Sequence, residues 1–279
     1  MPELPEVETI KRQLNLLAAG KKISQVEILL PKIVKAPLAE FKKAVVGAKI
    51  KEFNRRAKIL IIELNNGWSI LIHLKLSGQL IYQNQISNIK NQNLRKYTHV
   101  ILHFSDGSHL LFNDMRQFGY IKLVKTEELD EFLKKEGFGP EPFDKNFTLA
   151  RLVAILDKKP HAKIKQFLMD QKNIAGIGNI YSDEILFASG VHPLRRIKDL
   201  KPSEIKAVYK NIKKILSEAV KAKGTSADLY LDAYGRQGSF LPKLKVYGRQ
   251  GQKCVKCQGE IKRIKIGGRS AHFCPKCQI

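Results

Sequence analysis

The sequence predicts an α+β multidomain chain: an antiparallel β-rich domain with a leading helix, then a helical domain, then a small four-cysteine module. Three observations carry this. Between residues 23 and 125 short apolar runs alternate with turn signals; from residue 126 the apolar residues repeat at helical spacing; all four cysteines lie in the last 26 residues. Strands in one block and helices in another argue for segregated layers rather than alternating βαβ units.

The opening MPELPEVETI contains the first helix start. Proline near the head of a helix loses no needed N–H, so Pro5-Glu6 marks the entry. Val7, Ile10, Leu14 and Leu17 then repeat at helical spacing until Gly20. Residues 23–30, 59–64, 68–76, 99–104 and 109–112 read as strands, separated by Asn66-Gly67, Ser77-Gly78 and Asp106-Gly107. Many short strands in a row suit a sandwich or a barrel. Residues 126–135 read as a short helix and 137–142, GFGPEP, as part of a linker. Residues 147–156, 162–170, 180–189 and 203–222 read as helices, and a Gly/Ser/Tyr-rich segment follows at 224–240. The boundaries expected are a β-rich domain at 1–136, a linker at 137–145, a helical domain at 146–240 and the cysteine module at 241–279.

The cysteines follow C-x2-C-x16-C-x2-C: Cys254, Cys257, Cys274 and Cys277. This is zinc-ligand spacing, and four soft thiolates favour one tetrahedral Zn2+ with no position left for water. Such a zinc is structural. Two disulfides are the alternative, disfavoured in a reducing compartment.

Charge is the strongest bulk signal. Fifty Lys and Arg against 26 acids give a formal +24, which argues for a polyanionic partner, nucleic acid before membrane surface. No stretch approaches the roughly 18 apolar residues of a membrane span. Glu3, Glu6 and Glu8 interrupt any signal-peptide core. The expectation is a cytosolic protein, monomeric by default. Gly176-Ile177-Gly178-Asn179 lies between two predicted helices, where free N–H groups and the helix dipole favour a phosphate. A tight turn with Asn179 as helix cap is the competing reading.

Together these pieces resemble the bacterial formamidopyrimidine-DNA glycosylases. The resemblance spans the whole chain: PELPEVET at the start, RRAK at 55–58, DMRQFG at 114–119, FLMDQKNIAGIGNIYSDEILF at 167–187, VYGRQG at 246–251 and the ending GGRSAHFCPKCQ. It implies a β-sandwich, a helix–two-turn–helix domain and a zinc finger. It also implies a partner, damaged double-stranded DNA, and an activity, excision of oxidised purines coupled to abasic-site lyase chemistry. In the family the amine of Pro2, freed by loss of Met1, is the nucleophile. Glu3 resembles the general acid/base, Glu6 a supporting carboxylate and Lys58 the lysine near the lesion phosphate. Arg269 resembles the zinc-finger arginine that grips phosphates.

The DNA-contact set implied is His73, Leu76, Tyr97, Arg116, Phe118, Lys159, Asn179 and Tyr247. Periodicity alone would make His73 a core histidine. Phe118 and Arg116 resemble residues that fill the gap left by an extruded nucleotide. Leu76 stands where the family usually has methionine, Tyr97 where it often has histidine, and the match around Lys159 is loose. Residues 224–240 match the lesion-recognition loop in place, with Thr225, Ser226 and Tyr230 as candidate base contacts. Two other readings share these features. An endonuclease VIII-like enzyme uses the same fold and proline on oxidised pyrimidines, although that group typically opens PEGPE. A non-catalytic damage sensor would not need Pro2, Glu3, Glu6 and Lys58.

Overall fold

The computed structural model describes residues 1–84 and 96–279. The chain divides into two compact units, Met1–Glu136 with Val220–Leu241, and Gly137–Ala219 with Pro242–Ile279.

The first unit is a two-sheet sandwich. Helix α1 (Leu4–Leu17) precedes β1 (Ile23–Ile28), and α2 (Leu38–Val45) follows it. Then come β2 (Ile50–Arg56), β3 (Ile59–Leu64), β4 (Trp68–His73), β5 (Gly78–Gln83), β6 (Thr98–Phe104), β7 (His109–Asp114) and β8 (Tyr120–Lys125). One sheet runs β1-β6-β7-β5 and the other β2-β3-β4-β8, with antiparallel pairing throughout. Alternation sends Phe53, Leu60, Ile62, Ile70 and Ile72 of one sheet, and Leu80, Val100, Leu102, Leu110 and Phe112 of the other, into a single core. Val7, Ile10 and Leu14 of α1 join it, each with no exposed surface. A 3-10 turn at Thr126–Glu128 leads into α3 (Leu129–Lys135).

The spacing missed three strands. Strands β2 (IKEFNRR) and β8 (YIKLVK) carry charges on the faces that leave the core, and β5 (GQLIYQ) begins on the glycine of the Ser77-Gly78 turn signal. Helix α2 (LAEFKKAV) went unread because eight residues are too few to show a helical repeat. Two expected strands are shorter: β1 ends at Ile28 and β4 at His73.

The second unit carries α4 (Leu149–Leu156), α5 (Ile164–Met169), α6 (Asn179–Ser189) and most of α7 (Pro202–Lys221), then a hairpin of β9 (Lys262–Ile266) and β10 (Arg269–Phe273). The segment read as a linker is docked within this unit. Gly139 N donates to Gln171 O at 2.9 Å and Ala175 N to Pro140 O at 3.0 Å. A Cβ on Gly139 would lie 2.3 Å from Asn173 O, so this close approach requires glycine. Residues 224–240, expected with the helical domain, belong instead to the first unit. Gln13 on α1 holds them, donating to Asp232 Oδ2 and accepting from Ala233 N, both at 2.8 Å.

Candidate active site

The head of α1 is built from the opening motif. Glu3 is the N-cap and Glu6 the third helical residue, and the two form a reciprocal capping box. Glu3 N donates to Glu6 Oε2 at 2.7 Å. Leu4, not Pro5, is the first helical residue. Pro2 is buried, and both acids are only 1% exposed. The other Glu6 oxygen accepts from Thr225 N at 2.8 Å. One carboxylate therefore ties the helix head to the 224–240 loop. Gly224 (φ +85°) makes room, since a Cβ there would sit 2.8 Å from Glu6 Oε1. The Met1 ammonium lies 3.5 Å from Asp228 of the same loop.

Lys58 occupies a two-residue turn, because Arg56 pairs with Ile59 across β2 and β3. Ala57 in that turn is left-handed (φ +53°). A non-glycine residue there costs about 1–2 kcal/mol, so something must hold it. Arg55 does: its Nη1 donates to Ala57 O at 2.9 Å and its Nε to Glu8 Oε2 at 3.0 Å. Burial pushes the Glu8 carboxyl up, but the Arg12 hydrogen bond and the Arg55 and Lys11 charges outweigh it, and the net shift is downward. Lys58 itself is buried, 6% exposed.

His73 ends β4 opposite Ile59, beside Lys58. It is half-buried rather than a core side chain. Its Nδ1 accepts from Lys75 N at 2.9 Å, which leaves the proton on Nε2. Burial, then the charges of Lys75 and Lys58, push its pKa down to about 3. A neutral N–H donor results, suited to a phosphate oxygen. The unfolded chain binds a proton at this residue below about pH 6.5 and the folded chain does not, so acidification destabilises the fold. His73→Gln should lose less stability than the parent between about pH 7 and about pH 4.5. Urea unfolding at both pH values checks this; equal losses would assign the acid sensitivity elsewhere.

Leu76, Arg116 and Phe118 sit in the β4–β5 and β7–β8 connections. Phe118 is 55% exposed, with the Arg116 guanidinium 5.2 Å from its ring centroid. Each connection holds a left-handed non-glycine residue next to a candidate filler: Lys75 (φ +50°) before Leu76, and Gln117 (φ +56°) between Arg116 and Phe118. Tyr97 lies just before β6, with Lys96 stacked on its ring. In the 224–240 loop the three candidate base contacts are turned inward. Tyr230 lies in the sandwich core, Thr225 is 3% exposed, and the Ser226 hydroxyl donates to Tyr230 O. Leu229 and Tyr234 are the large exposed hydrophobic side chains there.

In the second unit the GIGN turn is braced by Gln171, whose amide donates to Met169 O and Ile177 O and accepts from Gly176 N. Gly178 is the cap of α6, so Asn179 is the first helical residue and not the cap. Its Oδ1 is buried without a hydrogen-bond partner among the described residues. Lys159 is exposed and paired with Asp170 at 3.1 Å.

The four cysteine sulfurs lie within 4.8 Å of one another. Cys254 and Cys277 are 3.8 Å apart, Cys257 and Cys274 3.5 Å. Tetrahedral zinc with Zn–S of about 2.3 Å requires S···S near about 3.8 Å, so the set fits one structural zinc. The β9–β10 turn is Gly267-Gly268, both left-handed, and Arg269 follows it, exposed. Two consecutive acids of α6 hold this module. Asp183 accepts from His272 N at 2.9 Å and from the buried Lys165. Glu184 accepts from the N–H groups of Lys245, Val246 and Tyr247. Tyr247 thereby packs edge-on against His272. Reading the sequence missed Arg55, Glu8, Asp183 and Glu184 as organisers, since isolated charges carry no spacing signal.

Three family models match in order: the formamidopyrimidine-DNA glycosylase N-terminal domain over residues 1–121, its H2TH domain over 138–230, and a zinc finger found in FPG and IleRS over 251–279. The chain belongs to the formamidopyrimidine-DNA glycosylase family. The family member from Pelotomaculum thermopropionicum is 41% identical over 95% of this chain and 94% of its own length. That from Carboxydothermus hydrogenoformans is 43% identical over 94% of each. The Lactococcus lactis glycosylase in complex with DNA containing an abasic site superposes with a TM-score of 0.91 at 34% identity, covering 99% of both chains. The same Lactococcus protein is also solved with DNA containing an oxidized pyrimidine, at a TM-score of 0.90. Among the described residues no helix is long and apolar enough to cross a membrane.

Proposed function

We propose that this chain is a base-excision repair enzyme, a bifunctional DNA glycosylase and abasic-site lyase acting on oxidised purines in duplex DNA. The observation that carries it is the head of α1, where Pro2, Glu3 and Glu6 are held in a buried capping box in a chain matching the glycosylase family from end to end. After loss of Met1, the Pro2 nitrogen is a secondary α-amine. An α-amine has a pKa of about 7.7–8.0, so a useful fraction is unprotonated near neutrality. Its lone pair attacks the sugar C1′, the glycosidic electrons leave with the base, which takes up a proton, and the amine gives up its own. The C1′–O4′ bond then breaks, O4′ taking a proton, and leaves an iminium; it draws electrons as sugar C–H protons are lost and the 3′-phosphate and then the 5′-phosphate are eliminated.

Glu3, at the N-cap, is the proton-transfer group. Glu6 positions, since its oxygens are bonded to Glu3 N and Thr225 N. Lys58 and the neutral His73 hold phosphate near the lesion. Leu76, Arg116 and Phe118 fill the gap left by the extruded nucleotide, offsetting the few kcal/mol of unstacking. Asn179, Lys159, Tyr97, Tyr247 and Arg269 grip the backbone, and the zinc fixes the hairpin that carries Arg269. Thr225, Ser226 and Tyr230 shape the loop over the extruded base from within. A monomer in the cytosol, where a bacterial chromosome lies, fits this role.

One observation favours a broader substrate range: the Lactococcus relative is solved with an oxidized pyrimidine as well. Duplexes containing 8-oxoguanine and thymine glycol separate the readings. Faster release of 8-oxoguanine supports the purine enzyme, faster release of thymine glycol the pyrimidine one, and binding without release a sensor. Glu3→Gln keeps the shape and removes the proton-transfer role. Lesion binding should persist while base excision falls ~10²–10⁴-fold. Near-normal excision would move the acid to another group.

A further inference from the structure

Asp114 is fully buried, and each of its polar atoms is engaged. Its backbone N–H donates to Tyr97 O at 2.9 Å, and its carbonyl accepts from His99 Nε2 at 2.7 Å. Its Oδ1 accepts from the Ser77 hydroxyl, in a short contact, and from Arg116 N at 3.2 Å. Its Oδ2 accepts from Gly119 N at 2.7 Å. The Ser77 hydroxyl in turn accepts from Arg116 N at 3.0 Å. Three chain segments meet on one residue: the β4–β5 connection that carries Leu76, the β7–β8 connection that carries Arg116 and Phe118, and the entry to β6 at Tyr97.

The packing leaves little slack around this hub. A Cβ on Gly119 would fall 3.0 Å from Asp114 Oδ2 and 2.8 Å from Phe112 Cζ, and one on Gly78 would fall 2.4 Å from Leu74 O. Both connections also hold a left-handed non-glycine residue, Lys75 and Gln117, beside the side chains they present. Such backbones relax unless bonds oppose it. Here one carboxylate holds Ser77 of the first connection and both Arg116 N and Gly119 N, on either side of Gln117, in the second.

We infer that Asp114 is a positioning residue that makes the two gap-filling connections one mechanical unit, so that Leu76 enters the duplex together with Arg116 and Phe118. This rests on the glycosylase reading above and deepens it: the carboxylate touches no DNA and acts through Ser77, Arg116 and Gly119. The amide of Asp114→Asn would turn a donor toward either Gly119 N–H or the Ser77 and Arg116 donors. Either the Gly119 end of the β7–β8 connection or its Ser77 and Arg116 end is then released, while volume and burial are unchanged.

The test is stopped-flow fluorescence of 2-aminopurine placed beside 8-oxoguanine in a duplex, which reports insertion, alongside single-turnover base release. Asp114→Asn should slow insertion by about 10-fold or more, the scale of a buried donor left unpaired. Affinity for undamaged duplex should stay within about 2-fold, which general loosening of the domain would not leave in place. Ser77→Ala cuts only the link between the connections and serves if the asparagine variant misfolds; it should slow insertion in the same way. In combination with Leu76→Ala, Asp114→Asn should add little, because both act on one event. Wild-type insertion rates in Asp114→Asn or Ser77→Ala, or fully multiplicative effects with Leu76→Ala, overturn the inference while wild-type excision leaves the enzyme reading intact. A wild-type protein that neither inserts nor excises overturns both.

Discussion

A form of the protein that begins at Pro2 should be trapped on an abasic-site duplex by borohydride, and a form that keeps Met1 should be trapped far less. The reason lies in the nitrogen. With Met1 in place, the Pro2 nitrogen is a tertiary amide whose lone pair is delocalised into the carbonyl. Met1 brings an amine of its own, but one residue further along, about 3.8 Å between Cα atoms. That amine also lies 3.5 Å from Asp228, which holds it against the 224–240 loop. A displacement of this size at a reacting atom is enough to lose most of the benefit of orientation. The adduct yield should fall about 10²-fold or more. Pro2→Gly, processed to a free glycine, keeps an amine and should give a weak adduct, intermediate between the two. Peptide mapping of the trapped species checks the atom. A full yield from the Met1 form, or an adduct mapped to Lys58, would assign the covalent chemistry to another nitrogen.

The helix that presents Pro2 was legible from the first ten residues, because Pro5, Glu6 and the spacing of Val7, Ile10 and Leu14 are local signals. The cysteine spacing was legible for the same reason: two C-x2-C pairs can be read without knowing any partner. The long-range contacts were not. Residues 224–240 follow α7 in sequence, yet Glu6 and Gln13 hold them to α1 more than 200 residues earlier. Nothing in GTSADLYLDAYGRQGSF signals that pairing. The place of Tyr230 in the core was hidden for the same reason, since it depends on that long-range docking. Asp114 is visible in DMRQFG as one more acid in a turn, and only the fold brings Ser77 to it. The motif match supplied roles for Arg116 and Phe118, and the hydrogen bonds supply the means by which their backbone stays in place.

The second large effect belongs to the zinc module, where two substitutions should fail in different ways. The module is too small to hold itself together. Its buried cluster is Phe187, Val246, Cys254, Ile261 and Cys274, with Cys257 and Cys277 packed against it. Two of the five buried members are metal ligands, and Phe187 is borrowed from α6. Zinc binding therefore supplies the folding energy of this segment. Cys257→Ser should release the zinc and disorder the β9–β10 hairpin. Asp183 and Glu184 would then lose the backbone N–H groups that they accept from His272, Lys245, Val246 and Tyr247. Buried carboxylates stripped of donors are costly, Asp183 keeping only Lys165, so the loss should spread into α6 while the β-sandwich stays folded. DNA affinity should drop about 10²-fold or more, as several phosphate contacts go together. Arg269→Ala should behave otherwise. Its side chain is exposed beyond the Gly267-Gly268 turn, so zinc content and melting profile should not change. Affinity should fall on damaged and undamaged duplex alike, and the slope of log K against log salt should shrink by about one counterion. Zinc content, thermal melting and affinity across a salt series distinguish the two variants. Normal DNA binding by the zinc-free protein would remove the module from the interface, and an unchanged salt slope for Arg269→Ala would leave that arginine a surface charge.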